Sequence, residues 1–220
     1  PATSSAASDV YKRQIENHNY KTDKADKKIF SKFKKYKTFI AASTHETEEL
    51  FAARTHILLN KKNKNIITII IPRHINRVGQ IISEISELGL KVVTRSSNKV
   101  ELKNIDIFIV DTFGESEKFY KFATTVFLGK SIVKGGGQNP LEPARFGAKI
   151  LHGPGVSNFK DVYKYLKQLK ISSEVNSPKK CANSVIFKKN MKKVKKMKYL
   201  GSRILKKTLN ELDKSIHNEI

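Results

Sequence analysis

The feature that most restricts what this chain can fold into is a rhythm. From Lys37 onward, short apolar runs alternate with stretches of helical periodicity. The clearest run, residues 66–71, reads IITIII and is stopped by Pro72. A run that lacks polar alternation describes a strand buried on both faces, the situation of a strand in a parallel sheet covered by helices. On the same reading 38–42, 91–94, 105–110, 124–128 and 149–151 are strands. Helices are expected over 45–60, 75–88 (ended by Gly89), from Glu115, over 141–146 and over 158–169. In the first of these, Leu50, Ala53, Ile57 and Leu58 share a face, and Glu46, Glu48 and Glu49 occupy the first turn, where carboxylates suit the helix dipole. Six strands in βαβ order predict an α/β fold with a Rossmann-like parallel sheet.

Polar motifs follow the carboxyl ends of these strands: Ser43-Thr44-His45, Pro72-Arg73-His74, Asp111–Glu115 and Gly135–Glu142. Ligands of open parallel sheets bind in that crevice, and four polar motifs on one rim are hard to explain as packing. Gly135, Gly136 and Gly137 leave room for a backbone to approach a ligand. Asn139 suits an N-cap, Pro140 the first helical position, and Glu142 stands three residues after the cap, so a capping box is expected. A helix opened this way aims unpaired N–H groups at an anion such as a phosphate. Arg73, behind a proline that fixes its approach, can neutralise or grip the same phosphate. Ser43 and Thr44 either line the crevice or only cap a helix, and Glu115 either caps its helix or, with Gly114, lets the backbone meet a base or sugar.

Other chemistries find no support. His45, His56, His74 and His152 lack the spacing of a zinc site; His45 and His74 follow strand ends, and His56 reads as structural. No Walker loop, Ser-His-Asp pattern or dinucleotide fingerprint is present. Cys181, the lone cysteine, falls in a basic loop and takes no nucleophilic role; a single cysteine rules out an internal disulfide framework and suits a reducing cytosol. No apolar run approaches the roughly 20 residues that span a bilayer.

The chain divides into four parts. Residues 1–14, PATSSAASDVYKRQ, differ in composition from the rest and read as translated adapter sequence, so a fragment lacking an N-terminal part is expected. Residues 15–37 are a polar linker with some helix, 38–170 the sheet domain, and 171–220 a lysine-rich loop and helical tail. The net charge of +23 fits a lysine-rich solvated surface or attraction to an anionic partner, whether phospholipid, phosphorylated glycolipid or nucleic acid. A basic nucleic-acid-binding module accounts for the charge but for none of the strand-end motifs.

Five strings in order, STHETEE (43–49), IPRH (71–74), TRSS (94–97), DTFGE (111–115) and GGGQNPLEPARFGAKILHGPGVSNFKD (135–161), carry a resemblance. Over roughly residues 38–169 the chain resembles the C-terminal half of the 3-deoxy-D-manno-octulosonic acid (Kdo) transferases of lipopolysaccharide synthesis. The resemblance implies a GT-B glycosyltransferase, in which this chain is the C-terminal domain that binds the donor CMP-Kdo. It further implies a missing half that binds the lipid A precursor, supplies the catalytic carboxylate and often carries the membrane anchor. No catalytic residue, metal or cofactor is then expected in this fragment, which by itself is inactive, and no nucleic-acid partner. The implied nucleotide contacts are Pro72 and Arg73, then Phe113, Gly114 and Glu115, then Asn139, Pro140, Leu141 and Glu142, with Ser43, Thr44, Gly136 and Gly137 as further candidates. The implied location is the cytoplasmic face of the bacterial inner membrane, with the basic tail near an anionic surface. Two positions depart from the family: Thr47, where glycine is usual, and Gln138, where histidine is frequent. A GT-B enzyme with a UDP-sugar donor is the alternative, separable by nucleotide competition.

Overall fold

The computed structural model describes residues 30–97, 101–133 and 135–188. The segment read as adapter, most of the expected linker and the greater part of the lysine-rich tail (189–220) lie outside the described residues.

Among the described residues seven strands form one sheet: β1 (Lys37–Thr44), β2 (Ile66–Pro72), β3 (Val92–Thr94), β4 (Ile107–Ile109), β5 (Thr125–Leu128), β6 (Lys149–His152) and β7 (Ser172–Glu174). Their spatial order is β3-β4-β2-β1-β5-β6-β7, and every neighbouring pair is parallel. Helices among the described residues include α1 (Glu48–Asn60), α2 (Val78–Ser86), α3 (Ser116–Tyr120), α4 (Leu141–Arg145), α5 (Lys160–Gln168) and α6 (Pro178–Ser184). Single 3₁₀ turns, Ile75–Arg77 and Ser157–Phe159, open the segments that the sequence reads as continuous helices into α2 and α5.

Both faces of the sheet are covered, as the uninterrupted apolar runs require. Alternate residues of the central strands feed two cores. Phe39, Ala41, Ile70 and Phe127 pack with Phe51, Ala52, Ile81 and Ile85 of α1 and α2. Ile40, Ala42, Ile69, Phe108 and Val126 pack with Phe119, Ala144, Tyr163 and Leu166 of α3, α4 and α5. Thr68, the one polar residue in IITIII, is fully buried and meets the Nδ1 of the equally buried His56 at 3.0 Å, while His56 Nε2 lies 3.3 Å from Asp106. His56 is therefore a structural histidine that ties α1 to β2 and to the approach to β4.

Two expectations need correction. The sheet has seven strands rather than six, and its domain does not stop at residue 170. Among the described residues β7 pairs only with β6, and α6 continues the fold with Ser177 as its N-cap and Pro178 behind it. A three-residue, polar edge strand carries no periodic signal, so a loop is what its sequence suggests. Cys181 is consequently not in a loop: it is fully buried in α6 against the α1 face, and burial pushes its thiol up to about 12. Ile186 O accepts hydrogen bonds from the Thr124 and Thr125 hydroxyls, so the chain is still part of the fold there. At the other end, the expected linker contributes Phe33, which stacks on Phe122 at 5.7 Å and meets Phe108 edge-on at 5.2 Å. Among the described residues no helix is long and apolar enough to cross a membrane.

Three histidines make stability pH-dependent. Burial holds His45, His56 and His152 below the ordinary value of 6.5, outweighing the groups that favour their protonation. The unfolded chain then takes up these protons first. Their contribution is complete above the unfolded value and is lost as pH falls through the lower folded values. The melting temperature should fall as the pH is lowered from about 7.5 to about 5.5; a flat profile by circular dichroism would contradict it.

Candidate functional site

The sheet order defines where a ligand crevice lies. The chain leaves β1 towards β2 on one side and leaves β5 towards β6 on the other, so the loops after β1 and β5 diverge. In open parallel sheets that divergence is the place where ligands bind. Here the two loops are also drawn together. Gly129, directly after β5, lies so near the β1 loop that a Cβ there would stand 2.3 Å from Ser43 O and 2.6 Å from a Glu48 carboxylate oxygen. Glu48 is fully buried at the start of α1. Its carboxylate accepts backbone N–H bonds from His45 (3.0 Å), Lys130 (2.7 Å), Ser131 (2.9 Å) and Ile132 (2.9 Å).

Arg73 follows β2 on the neighbouring side. Its backbone N–H donates to Thr44 O at 2.9 Å, while its side chain is exposed and makes no ion pair among the described residues. Pro72 is buried as the last residue of β2. Ser43 adopts a positive φ of 53°, Thr44 is fully buried, and the His45 ring meets the His74 ring edge-on at 5.4 Å. The β1 and β2 loops thus form one wall.

Phe113, Gly114 and Glu115 follow β4, the next strand along. Phe113 is 79% exposed, and Gly114 has a φ of +74° with open space where a Cβ would be. Glu115 is not free to reach out. Arg95 (Nε 3.2 Å), Lys118 (2.9 Å) and the Thr112 hydroxyl all donate to its carboxylate. Burial alone would raise its pKa, but these hydrogen bonds prevail and hold it below the usual range. Asp111 in turn accepts from the Ser96 N–H at 2.9 Å and from the Ser96 hydroxyl. The string TRSS therefore secures the DTFGE loop.

Beyond β5, Gly136 and Gly137 have φ values of +83° and +76°. The space they free is not open. A Cβ on Gly136 would meet the Asn158 side chain at 2.5 Å, and one on Gly137 would meet Val156 at 3.1 Å. The glycines permit the 135–137 and 153–158 segments to pack backbone to backbone, with Asn158 N–H donating to Gly136 O at 2.9 Å. Pro140, expected at the first helical position, instead stands at the N-cap of α4, and Asn139 one residue earlier accepts the Leu141 N–H on its Oδ1 at 3.0 Å. The expected capping box is absent. Among the described residues Glu142 does not bond back to the Asn139 backbone; its carboxyl lies partly buried near Glu117 and Arg145, which pair with each other at 3.3 Å. Burial, with Glu117 adding to it, raises the Glu142 pKa against the pull of Arg145. The Glu117–Arg145 pair also ties α3, which starts beside Gly114 and Glu115, to α4, which carries Glu142.

Sequence reasoning missed the groups that hold this rim: Glu48, Glu49 with Arg77, Arg95 and Ser96. The signals for them were TRSS, a matched string without an assigned role, and the Glu48-Glu49 end of STHETEE, which read only as helix-dipole carboxylates. Thr47 acquires a meaning too. It sits at the N-cap of α1 with a φ of 73°, a left-handed conformation that a β-branched residue tolerates poorly and glycine readily adopts. Thr47→Gly should stabilise the chain by about 1 kcal/mol, raising the melting temperature by roughly 2–4 °C. An unchanged or lower melting temperature would count against the strain.

A cleft of about 460 Å³ lies elsewhere, near the amino-terminal ends of β1 and β5, lined by Phe30, Phe33, Tyr36, Lys37, Phe122 and Phe187 among others. Among the described residues no group of three or more His, Cys, Asp or Glu side chains could hold a metal ion.

No protein-family model matches the chain. A 3-deoxy-D-manno-octulosonic acid transferase of Haemophilus influenzae is 32% identical over 139 residues, 63% of this chain and 33% of that protein. One of Rickettsia prowazekii is 34% identical over 173 residues, 77% of this chain and 37% of that protein. The chain thus spans about a third of the length of the curated relatives it matches. Among solved structures, the C-terminal CMP-Kdo binding domain of WaaA from Acinetobacter baumannii superposes with a TM-score of 0.65 at 18% identity, covering 87% of this chain and 97% of that one. Trehalose-6-phosphate synthase superposes at 0.59 and 8% identity, over 95% of this chain and 48% of that one. These likenesses describe a GT-B type of Rossmann-like domain.

Proposed function

We propose that the chain is the C-terminal, donor-side part of a Kdo transferase and that it binds CMP-Kdo at the rim of β4, β2, β1 and β5. The observation that supports this best is the placement of the matched strings: IPRH, DTFGE and STHETEE end adjacent strands of one sheet, and the NPLEP string leads from the loop after β5 into α4. In this reading Arg73, exposed at the end of β2 and without an ion pair among the described residues, takes the phosphate. Phe113 and the open backbone at Gly114 and Glu115 face the cytosine, and Asn139, Pro140 and Leu141 form the opposing edge. Glu142 accepts the ribose hydroxyls with its carboxylate oxygens. Ser43, Thr44, Gly136 and Gly137 serve the site by shaping the loops.

The whole enzyme moves Kdo from CMP-Kdo to the lipid A precursor. The bond from the anomeric carbon to the phosphate oxygen breaks, and CMP leaves with that electron pair. The acceptor oxygen bonds the same carbon and gives its proton to a carboxylate on the acceptor-binding side of the enzyme. Charge grows on one phosphate, where Arg73 opposes it without a metal or cofactor. The setting is the cytoplasmic face of the inner membrane, with lysines drawn to its anionic surface. Residues 1–220 by themselves bind CMP and transfer nothing. Calorimetric titration with CMP, UMP and UDP tests the donor: CMP should bind tightest, and a preference for UDP would replace this reading with that of a UDP-sugar enzyme.

A further inference from the structure

Two adjacent carboxylates in the first turn of α1 reach to opposite sides of the crevice. Glu48 turns towards the β5 loop and holds the backbone N–H groups of Lys130, Ser131 and Ile132, together with that of His45 in its own loop. Glu49, equally buried, turns towards β2: Arg77 donates to it at 3.4 Å, and the Thr44 hydroxyl lies beside it. Thr44 in turn accepts the Arg73 N–H. One wall of the crevice carries Arg73; the other carries the glycine loop that leads to Glu142. Both are fastened to consecutive residues of one helix.

We propose that Glu48 and Glu49 act as a two-sided clamp, positioning residues that fix the separation of the Arg73 wall from the β5-loop wall. Successive residues on a helix point about 100° apart, so a single helix start can grip both neighbours of β1 at once. A Cβ added to Gly129 would stand 2.6 Å from Glu48 Oε2, so the β5 loop passes close against that carboxylate. Four N–H groups on one carboxylate leave it no lone pair for a ligand, which makes it a holder rather than a contact. The consequence for donor binding rests on the reading above: the walls must stand at the distance that lets Arg73 and Glu142 reach one nucleotide.

Amide hydrogen exchange on the full 220-residue chain, with Glu48→Gln and Glu49→Gln, tests the clamp without any ligand. In Glu48→Gln the new side chain offers one acceptor oxygen and an NH₂ group that faces other N–H donors. Exchange at Lys130, Ser131 and Ile132 should rise about tenfold or more, with Arg73 unchanged. Glu49→Gln should do the reverse, speeding Arg73 and Arg77 and sparing 130–132. Each variant should also weaken CMP binding by roughly tenfold. Should Glu48→Gln fail to fold, Glu48→Asp keeps the charge on a shorter arm and should show the same local pattern more weakly. Equal acceleration of both walls and of the core strands, or no local change, would overturn the clamp. Wild-type protein that binds no CMP yet shows the selective pattern would overturn the donor reading alone and leave the clamp standing.

Discussion

Arg73→Ala should weaken CMP binding by roughly 10- to 100-fold while the melting temperature stays within about 1 °C of the parent. The two halves of that expectation come from different atoms of one residue. The backbone N–H of Arg73 is part of the wall, bonded to Thr44 O at 2.9 Å, and alanine keeps it. The side chain is exposed at the end of a buried strand and makes no ion pair among the described residues, so its removal leaves no orphaned partner in the fold. A guanidinium bonded to a phosphate typically contributes about 1.5–3 kcal/mol, the factor quoted. Arg73→Lys keeps the charge but not the forked geometry and should fall between. Titration calorimetry beside a thermal melt reads both quantities. Unchanged affinity would move the phosphate to another part of the rim.

The layers of this fold were readable because they repeat. IITIII announces a strand covered on both faces, and β2 is buried at every position. Residues whose role depends on a neighbour far along the chain were not readable. Glu48 looked like a helix-dipole carboxylate, and only the return of the chain 82–84 residues later shows that it holds the β5 loop. Gly136 and Gly137 suggested room for a ligand, since sequence records the missing side chain and not that Asn158 and Val156 come to fill the space. Glu142 suggested a capping box because its spacing was right; the nearby Glu117–Arg145 pair belongs to a tertiary contact between α3 and α4. The strand β7 failed for the opposite reason, being so short and polar that its pairing with β6, and no local pattern, defines it. Thr47 was legible only as a departure, and its positive φ supplies the reason that glycine suits the position.

Gly129→Ala should destabilise the chain by about 3 kcal/mol or more and lower the melting temperature by roughly 6–12 °C. The new methyl carbon would stand 2.3 Å from Ser43 O, 2.6 Å from Glu48 Oε2 and 2.7 Å from Thr44 Cα. Two of those atoms are backbone and cannot swing aside, so β1 and β5 must part at their carboxyl ends. That movement also pulls Lys130 and Ser131 from Glu48, and CMP binding should weaken along with stability. The same chemical change elsewhere supplies the control. Gly79 lies in α2 with no atom within 4 Å of a Cβ. There alanine relieves the unfavourable helix entropy of glycine and should stabilise by roughly 0.5–1 kcal/mol, with no effect on CMP. Paired urea titrations of the two variants give opposite signs if contact at the switch point governs the first. A mild loss at Gly129, equal to an ordinary surface change, would mean that the β1 and β5 loops can separate cheaply, and the crevice would then have no fixed width for a nucleotide to recognise.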